Sequence, residues 1–166
     1  MKDVYEDVTA YLTELLAGAA KSGLSSERLI GEHKISVEVN NILACKTWEA
    51  VINLVAEQLF RRIENEKSTI KLLTAIDKKL DLKVPEKAVQ DALPYLELRH
   101  LLVHSDGIAD ESFCKRFPAI GATPNQSIHL SYPLIATARA KIIEMIVKYD
   151  ECAIAKKVVP ESDLQP

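Results

Sequence analysis

The chain has 166 residues, 48% hydrophobic and 27% charged, with a formal net charge of −3 and a pI near 5.8. This is the profile of one soluble globular domain, long enough to bury a core without disulfide or metal staples. The acidic balance argues against a protein that holds nucleic acid over a broad basic face, since that affinity rests on many phosphate contacts. A small site that reads one phosphate is still compatible with it.

Only five glycines occur, and the apolar residues are mostly Leu, Ile, Val and Ala, so an all-helical domain is expected. A first helix is predicted from about Asp3 to Lys21, with Val4, Val8, Tyr11, Leu12, Leu15, Leu16 and Ala19 on its inner stripe. Ser22-Gly23 ends it, and Ser25-Ser26-Glu27 can start a short helical turn. The stretch Glu32–Asn41 has no clear pattern, and His33 within it reads as a surface or capping histidine. A second long helix is expected over Ile42–Asn65, with Trp48, Val51, Ile52, Val55, Leu59, Phe60 and Ile63 inward and Glu57, Arg61 and Glu64 outward.

Ser68 can cap a third helix carrying Ile70, Leu73, Ile76 and Leu80, with Lys78 and Lys79 suited to the dipole at its end. Pro85 fits the first turn of a fourth helix, in which Pro94 predicts a kink or a fresh start. That helix runs to about Ser105, with Gly107 as the residue that ends it. Residues 110–129 read as an irregular connection with a short alternating piece at Ile128, Leu130 and Tyr132. Ser131 and Pro133 open a last helix with Ile135, Ala138, Ile142, Met145, Ile146 and Tyr149 inward. The expected architecture is one helical bundle of four to five helices over residues 1–157, followed by a tail at 158–166.

The three cysteines, Cys45, Cys114 and Cys152, are far apart and fit neither a disulfide framework nor a zinc spacing, which points to a reducing cytoplasm. No stretch has the length and apolarity of a signal peptide or membrane span, so no membrane partner is expected. No glycine-rich phosphate loop, nucleophile elbow or CxxC pair is present, and no cofactor is implied.

The segment Arg99-His100-Leu101-Leu102-Val103-His104-Ser105-Asp106-Gly107 stands apart from this scaffold. It places a guanidinium and two imidazoles within one and a half helical turns, groups that are costly to bury unless paired. A guanidinium can bridge two phosphoryl oxygens and stabilise the charge of a pentacoordinate transition state. An imidazole can take a proton from a ribose 2′-hydroxyl or return one to a departing 5′-oxygen.

On a helical wheel Tyr95, Leu98, Leu101 and Leu102 share one face, while His100 and His104 lie opposite, beside Glu97. Leu96 and Val103 fall on the side of Arg99. A second apolar stripe of this kind fits either a contact with a symmetry mate, which would bring two copies of Arg99 and His104 to a shared cleft, or a second covering helix. A structural alternative for the whole cluster is a histidine capping the helix end with Arg99 paired to Glu97 or a nearby carboxylate. The pair His100/His104 also has the spacing for two metal ligands, but the intervening residues lack the glutamate of a zinc-protease helix and no third ligand is visible.

An all-helical chain with R-x4-6-H near the end of a long helix resembles the HEPN superfamily. Arg99, His100 and His104 fill its arginine, polar and histidine positions, and Ser105-Asp106-Gly107-Ile108-Ala109-Asp110 is similar to the turn that follows in stand-alone microbial members. The resemblance is specific over residues 95–117. It implies a HEPN-like helical bundle and a metal-independent endoribonuclease that acts as a homodimer. Arg99 would bind the scissile phosphate, His104 would act as general acid or base, and His100 would orient the phosphate. It further implies an RNA substrate, a toxin–antitoxin or anti-phage setting, and an antitoxin or other regulatory protein as partner. Asp106 stands where nucleotidyltransferase-paired members often carry a modified tyrosine, so that regulation is not implied. Some members have lost cleavage and bind only RNA, nucleotides or a protein. A helical interaction domain unrelated to catalysis is the remaining reading.

Overall fold

The computed structural model of the chain describes residues 2–31, 34–65 and 68–159, apart from the side chains of Lys2, Asp3, Val4, His100 and His104. His33 lies outside the described residues. Within them are eight α-helices and one 3-10 turn, with no strand: α1 Lys2–Lys21, α2 Ser26–Ile30, α3 Val39–Ala44, α4 Trp48–Glu64, α5 Thr69–Leu80, α6 Glu86–His104, α7 Glu111–Arg116, the 3-10 turn Pro118–Ile120, and α8 Tyr132–Ala155. The protein is all-α as expected, with more and shorter helices than four or five. The chain divides into two compact units, one of residues 1–6 and 85–148, the other of residues 7–84 and 149–166.

In the second unit, most of the predicted inner stripe of α1 holds: Val8, Leu12, Leu15, Leu16 and Ala19 are buried, Tyr11 is half-buried, and the side chain of Val4 lies outside those described. Ser25 caps α2 by accepting from the Arg28 N–H at 3.3 Å. Helix α5 packs against both α2 and α4 and buries Leu73, Ile76 and Leu80 as its periodicity requires. Three hydrogen bonds lock its end to α2: Lys79 Nζ donates to the Leu29 and Ile30 carbonyls at 2.8 and 3.0 Å, and Arg28 Nε donates to the Lys79 carbonyl at 2.8 Å. Ser68 occupies the cap position of α5 but makes no side-chain capping bond.

The long helix expected from Ile42 to Asn65 is two helices. The chain is extended at Thr47, whose side chain accepts from the Ala50 N–H at 3.2 Å and starts α4 afresh. A threonine hydroxyl competes for backbone donors in this way, which is why it favours a cap over a helix interior. The break re-aims Trp48, placed inward by periodicity and found 75% exposed, whereas Leu59, Phe60 and Ile63 are buried as predicted. Of the tail expected from Val158, residues 160–166 lie outside the described residues. Val158 and Val159 are buried. Gly18 is the reason at Val159, since a Cβ on α1 there would overlap the valine side chain.

In the other unit, α6 runs unbroken through Pro94. Proline removes one backbone donor, and the carbonyl it leaves unbonded belongs to Gln90, an exposed residue. No fresh start is therefore needed. Asp91 on α6 accepts from Lys87 at 2.9 Å and from Lys141 on α8 at 3.3 Å. These two lysines hold the Asp91 carboxyl below its ordinary pKa, the bond from Lys87 contributing most. Ser131 caps α8 through the Leu134 N–H at 3.4 Å. Ala138, Ile142 and Met145 are buried, but Ile135, assigned to the same stripe, is exposed.

The connection 110–129 is more ordered than its composition implies. Asp110 Oδ1 accepts from the Phe113 N–H at 2.6 Å and starts α7. Phe113 and Phe117 then meet edge to face at 5.1 Å between centroids. The extended piece expected at Ile128, Leu130 and Tyr132 does not form a strand: the antiparallel bridge pairs Ser127 with Ile108, and Tyr132 opens α8.

Candidate functional site

The last one and a half turns of α6 carry Arg99, His100 and His104, with His104 its final residue. The imidazoles of His100 and His104 lie outside the described side chains, so their place is given by backbone register alone. Four residues apart, they share one helix face. Arg99 and His104 are separated by about 7.5 Å along the axis and about 140° around it.

The end of this helix is set by its local sequence. Ser105 leaves helical geometry, and Asp106 and Gly107 follow with φ of 49° and 74°. Aspartate tolerates the left-handed region better than most residues, and glycine carries no Cβ to clash there. Asp106 therefore takes the position assigned to Gly107, which falls one residue later. The Leu101 carbonyl accepts from both the Ser105 and Gly107 N–H groups, at 2.9 and 3.0 Å. A Cβ on Gly107 would sit 3.4 Å from Leu102 Cδ2 in a strained conformation. Beyond the turn, Ile128 N–H donates to the Gly107 carbonyl at 2.8 Å and Ala109 N–H to the Gln126 carbonyl at 3.1 Å. These bonds fix the direction in which the chain leaves His104. They also place His129, exposed and not singled out by the sequence pattern, two residues beyond the bridge at Ser127.

Arg99 is only partly exposed, and its guanidinium Cζ lies 4.4 Å from the centre of the Tyr5 ring, in the same unit. Its Nε is buried without a hydrogen-bond partner. Among the described residues Arg99 makes no hydrogen bond or ion pair, so the expected alternative of a pairing with Glu97 is not what holds it. An aromatic face attracts a guanidinium electrostatically and leaves its in-plane N–H groups uncommitted. A carboxylate would neutralise the charge and occupy two of those donors. Tyr5 was missed by the sequence reading, although it lies three residues before Val8 and so on the inner side of α1.

The two apolar sides of α6 are explained largely within the chain. Leu96, on the side of Arg99, is 2% exposed, as buried as the Leu98 stripe, and Val103 alone of that second set remains open at 45%. Further exposed apolar residues of this unit are Ile108, Leu130, Tyr132, Ile135, Ile143 and Val147, the last four on α8. Among the described residues no group of three or more His, Cys, Asp or Glu could hold a metal ion. No described helix is long and apolar enough to cross a membrane. Comparisons of the chain with protein-family models, with curated proteins and with solved structures return no match.

Proposed function

We propose that this protein is a metal-independent endoribonuclease of HEPN type. The observation that carries the reading is the state of Arg99: a partly buried guanidinium at the end of α6, held by a ring rather than a carboxylate, with Nε unpaired. A cation kept in that condition suits a phosphodiester, whose non-bridging oxygens accept two parallel N–H bonds. The ribose 2′-oxygen attacks phosphorus and the bond to the 5′-oxygen breaks, leaving a 2′,3′-cyclic phosphate. His104 takes the 2′-hydroxyl proton or supplies one to the 5′-oxygen, and His100 orients the phosphate.

Arg99 and His104 occupy well-separated register positions on one helix, so a complete site is best made from two copies of α6 in a homodimer, each supplying part. The exposed apolar residues of α8 and Val103 supply surface that such a pairing would cover. The setting that fits this activity is cytoplasmic, in a toxin–antitoxin or anti-phage system, with an antitoxin or other regulatory protein as partner.

The test is incubation of the purified chain with single-stranded RNA in EDTA, alongside Arg99→Ala and His104→Ala. Cleavage by the wild type that falls about a hundredfold or more in both variants supports the reading. Equal cleavage by all three marks a contaminating nuclease and removes it. The net charge of −3 favours a second reading, an inactive module that binds RNA, a nucleotide or a protein partner; binding of RNA without product identifies it.

A further inference from the structure

We infer that Tyr5 is a positioning residue for Arg99, holding the guanidinium by its ring face so that its terminal Nη donors, rather than the buried Nε, stay available to a phosphate. The inference rests on the ribonuclease reading above and extends it to a residue on the first turn of α1. Three observations combine. The guanidinium carbon lies 4.4 Å from the ring centroid, well inside the range of a cation–π contact. The Nε of Arg99 is buried with no acceptor, an arrangement that costs stability and that a carboxylate beside it would relieve. Both residues belong to one compact unit, although more than half the length of the chain separates them in sequence.

Three lysines of the chain show the contrast, while Arg116 also rests on a ring, that of Phe117, at 4.8 Å. Lys21 is paired with Glu49 at 2.7 Å, Lys156 with Asp81 at 3.4 Å, and Lys141 with both Asp91 and Glu144. Each is tethered by the group that neutralises it. Arg99 is tethered by a neutral ring, which restricts where the long side chain goes without spending its charge or its hydrogen bonds. Restricting it in advance lowers the entropy lost when a phosphate binds.

The experiment uses the full chain and the variants Tyr5→Phe, Tyr5→Leu and Arg99→Lys. RNA cleavage is measured in EDTA, binding is followed with a 2′-O-methyl oligonucleotide, thermal unfolding is recorded, and the Arg99 Nε–H proton resonance is assigned by its loss in Arg99→Lys. The expected result is an upfield, ring-shifted Nε–H signal in the wild type and in Tyr5→Phe, absent from Tyr5→Leu. Tyr5→Leu loses about tenfold in kcat/KM and in oligonucleotide affinity, and Tyr5→Phe restores both. In an Arg99→Ala background the Tyr5→Leu change has no further effect on cleavage, because the partner is already gone.

A Tyr5→Leu protein that unfolds at lower temperature but cleaves as well as the wild type, assayed well below its Tm, overturns the inference and leaves the ribonuclease reading standing. An Nε–H signal that does not depend on the ring also overturns it. A wild type with the ring-shifted signal that neither cleaves nor binds RNA overturns the ribonuclease reading, while the hold of Tyr5 on Arg99 stands.

Discussion

Two cations in this protein are held in opposite ways. Lys79, at the end of α5, donates to the last two carbonyls of α2, and its neighbour Arg28 returns a bond to the Lys79 carbonyl. Its charge is used to finish a helix and to tie two helices together. Arg99, at the end of α6, finishes nothing: the carbonyl bonds there come from Ser105 and Gly107 backbone, and its guanidinium rests on a ring. The difference separates a cation that the fold consumes from one that the fold keeps. Only the second kind has donors left for a ligand.

The contrast can be broken most sharply by removing each charge in turn. Arg99→Met is expected to lower RNA cleavage by about a hundredfold or more, since a transition-state contact to phosphate is lost. Its Tm should stay level or rise, because a methionine fills much of the same volume without leaving a buried donor unpaired. A Tm drop of many degrees would place Arg99 with the structural cations.

Lys79→Met should do the reverse. The Leu29 and Ile30 carbonyls lose a charged donor, a cost of about 1–3 kcal/mol visible in denaturant unfolding, with cleavage per folded molecule unchanged. Smaller still is Asp110→Ala, which removes the cap of α7 for about 1 kcal/mol. Since α7 belongs to the excursion that returns to the turn after His104, this variant also asks how far that turn depends on it; cleavage within twofold of wild type would show that the bridge to Ser127 suffices.

The least effect comes from exposed ion pairs. Asp81 and Glu49 have carboxyl pKa values lowered chiefly by hydrogen bonds from Lys156 and Lys21, as Asp91 has from Lys87. A carboxyl lowered by folding contributes stability above its unfolded pKa and loses it as pH falls through the folded value. Tm should therefore be flat near neutrality and fall below about pH 4. Added salt should flatten that fall, because these groups are open to solvent.

Much of the helical scaffold was legible because helix formation is written in short-range spacing. The inner stripes of α1 and α5, the Ser25 cap and the Ser131 cap depend on residues within a turn or two of each other. The errors came where a local polar group outweighs the apolar period. Thr47 restarts the chain inside an otherwise continuous pattern and exposes Trp48, and Asp110 builds a helix in a segment that its prolines and glycine mark as loop. Both signals were present as cap residues and were outvoted by longer-range composition.

The candidate site divides along the same line. That Arg99, His100 and His104 sit together at a helix end, closed by a turn with positive φ at Asp106 and Gly107, follows from residues adjacent in the chain. Sequence by itself determined which groups share the last one and a half turns of α6. Only the tertiary structure decided that Leu96 is covered within the chain and that the guanidinium meets Tyr5 rather than Glu97. The physical reason is range: helical spacing relates residues three or four apart, whereas the partner of a side chain is chosen by packing between elements far apart in sequence.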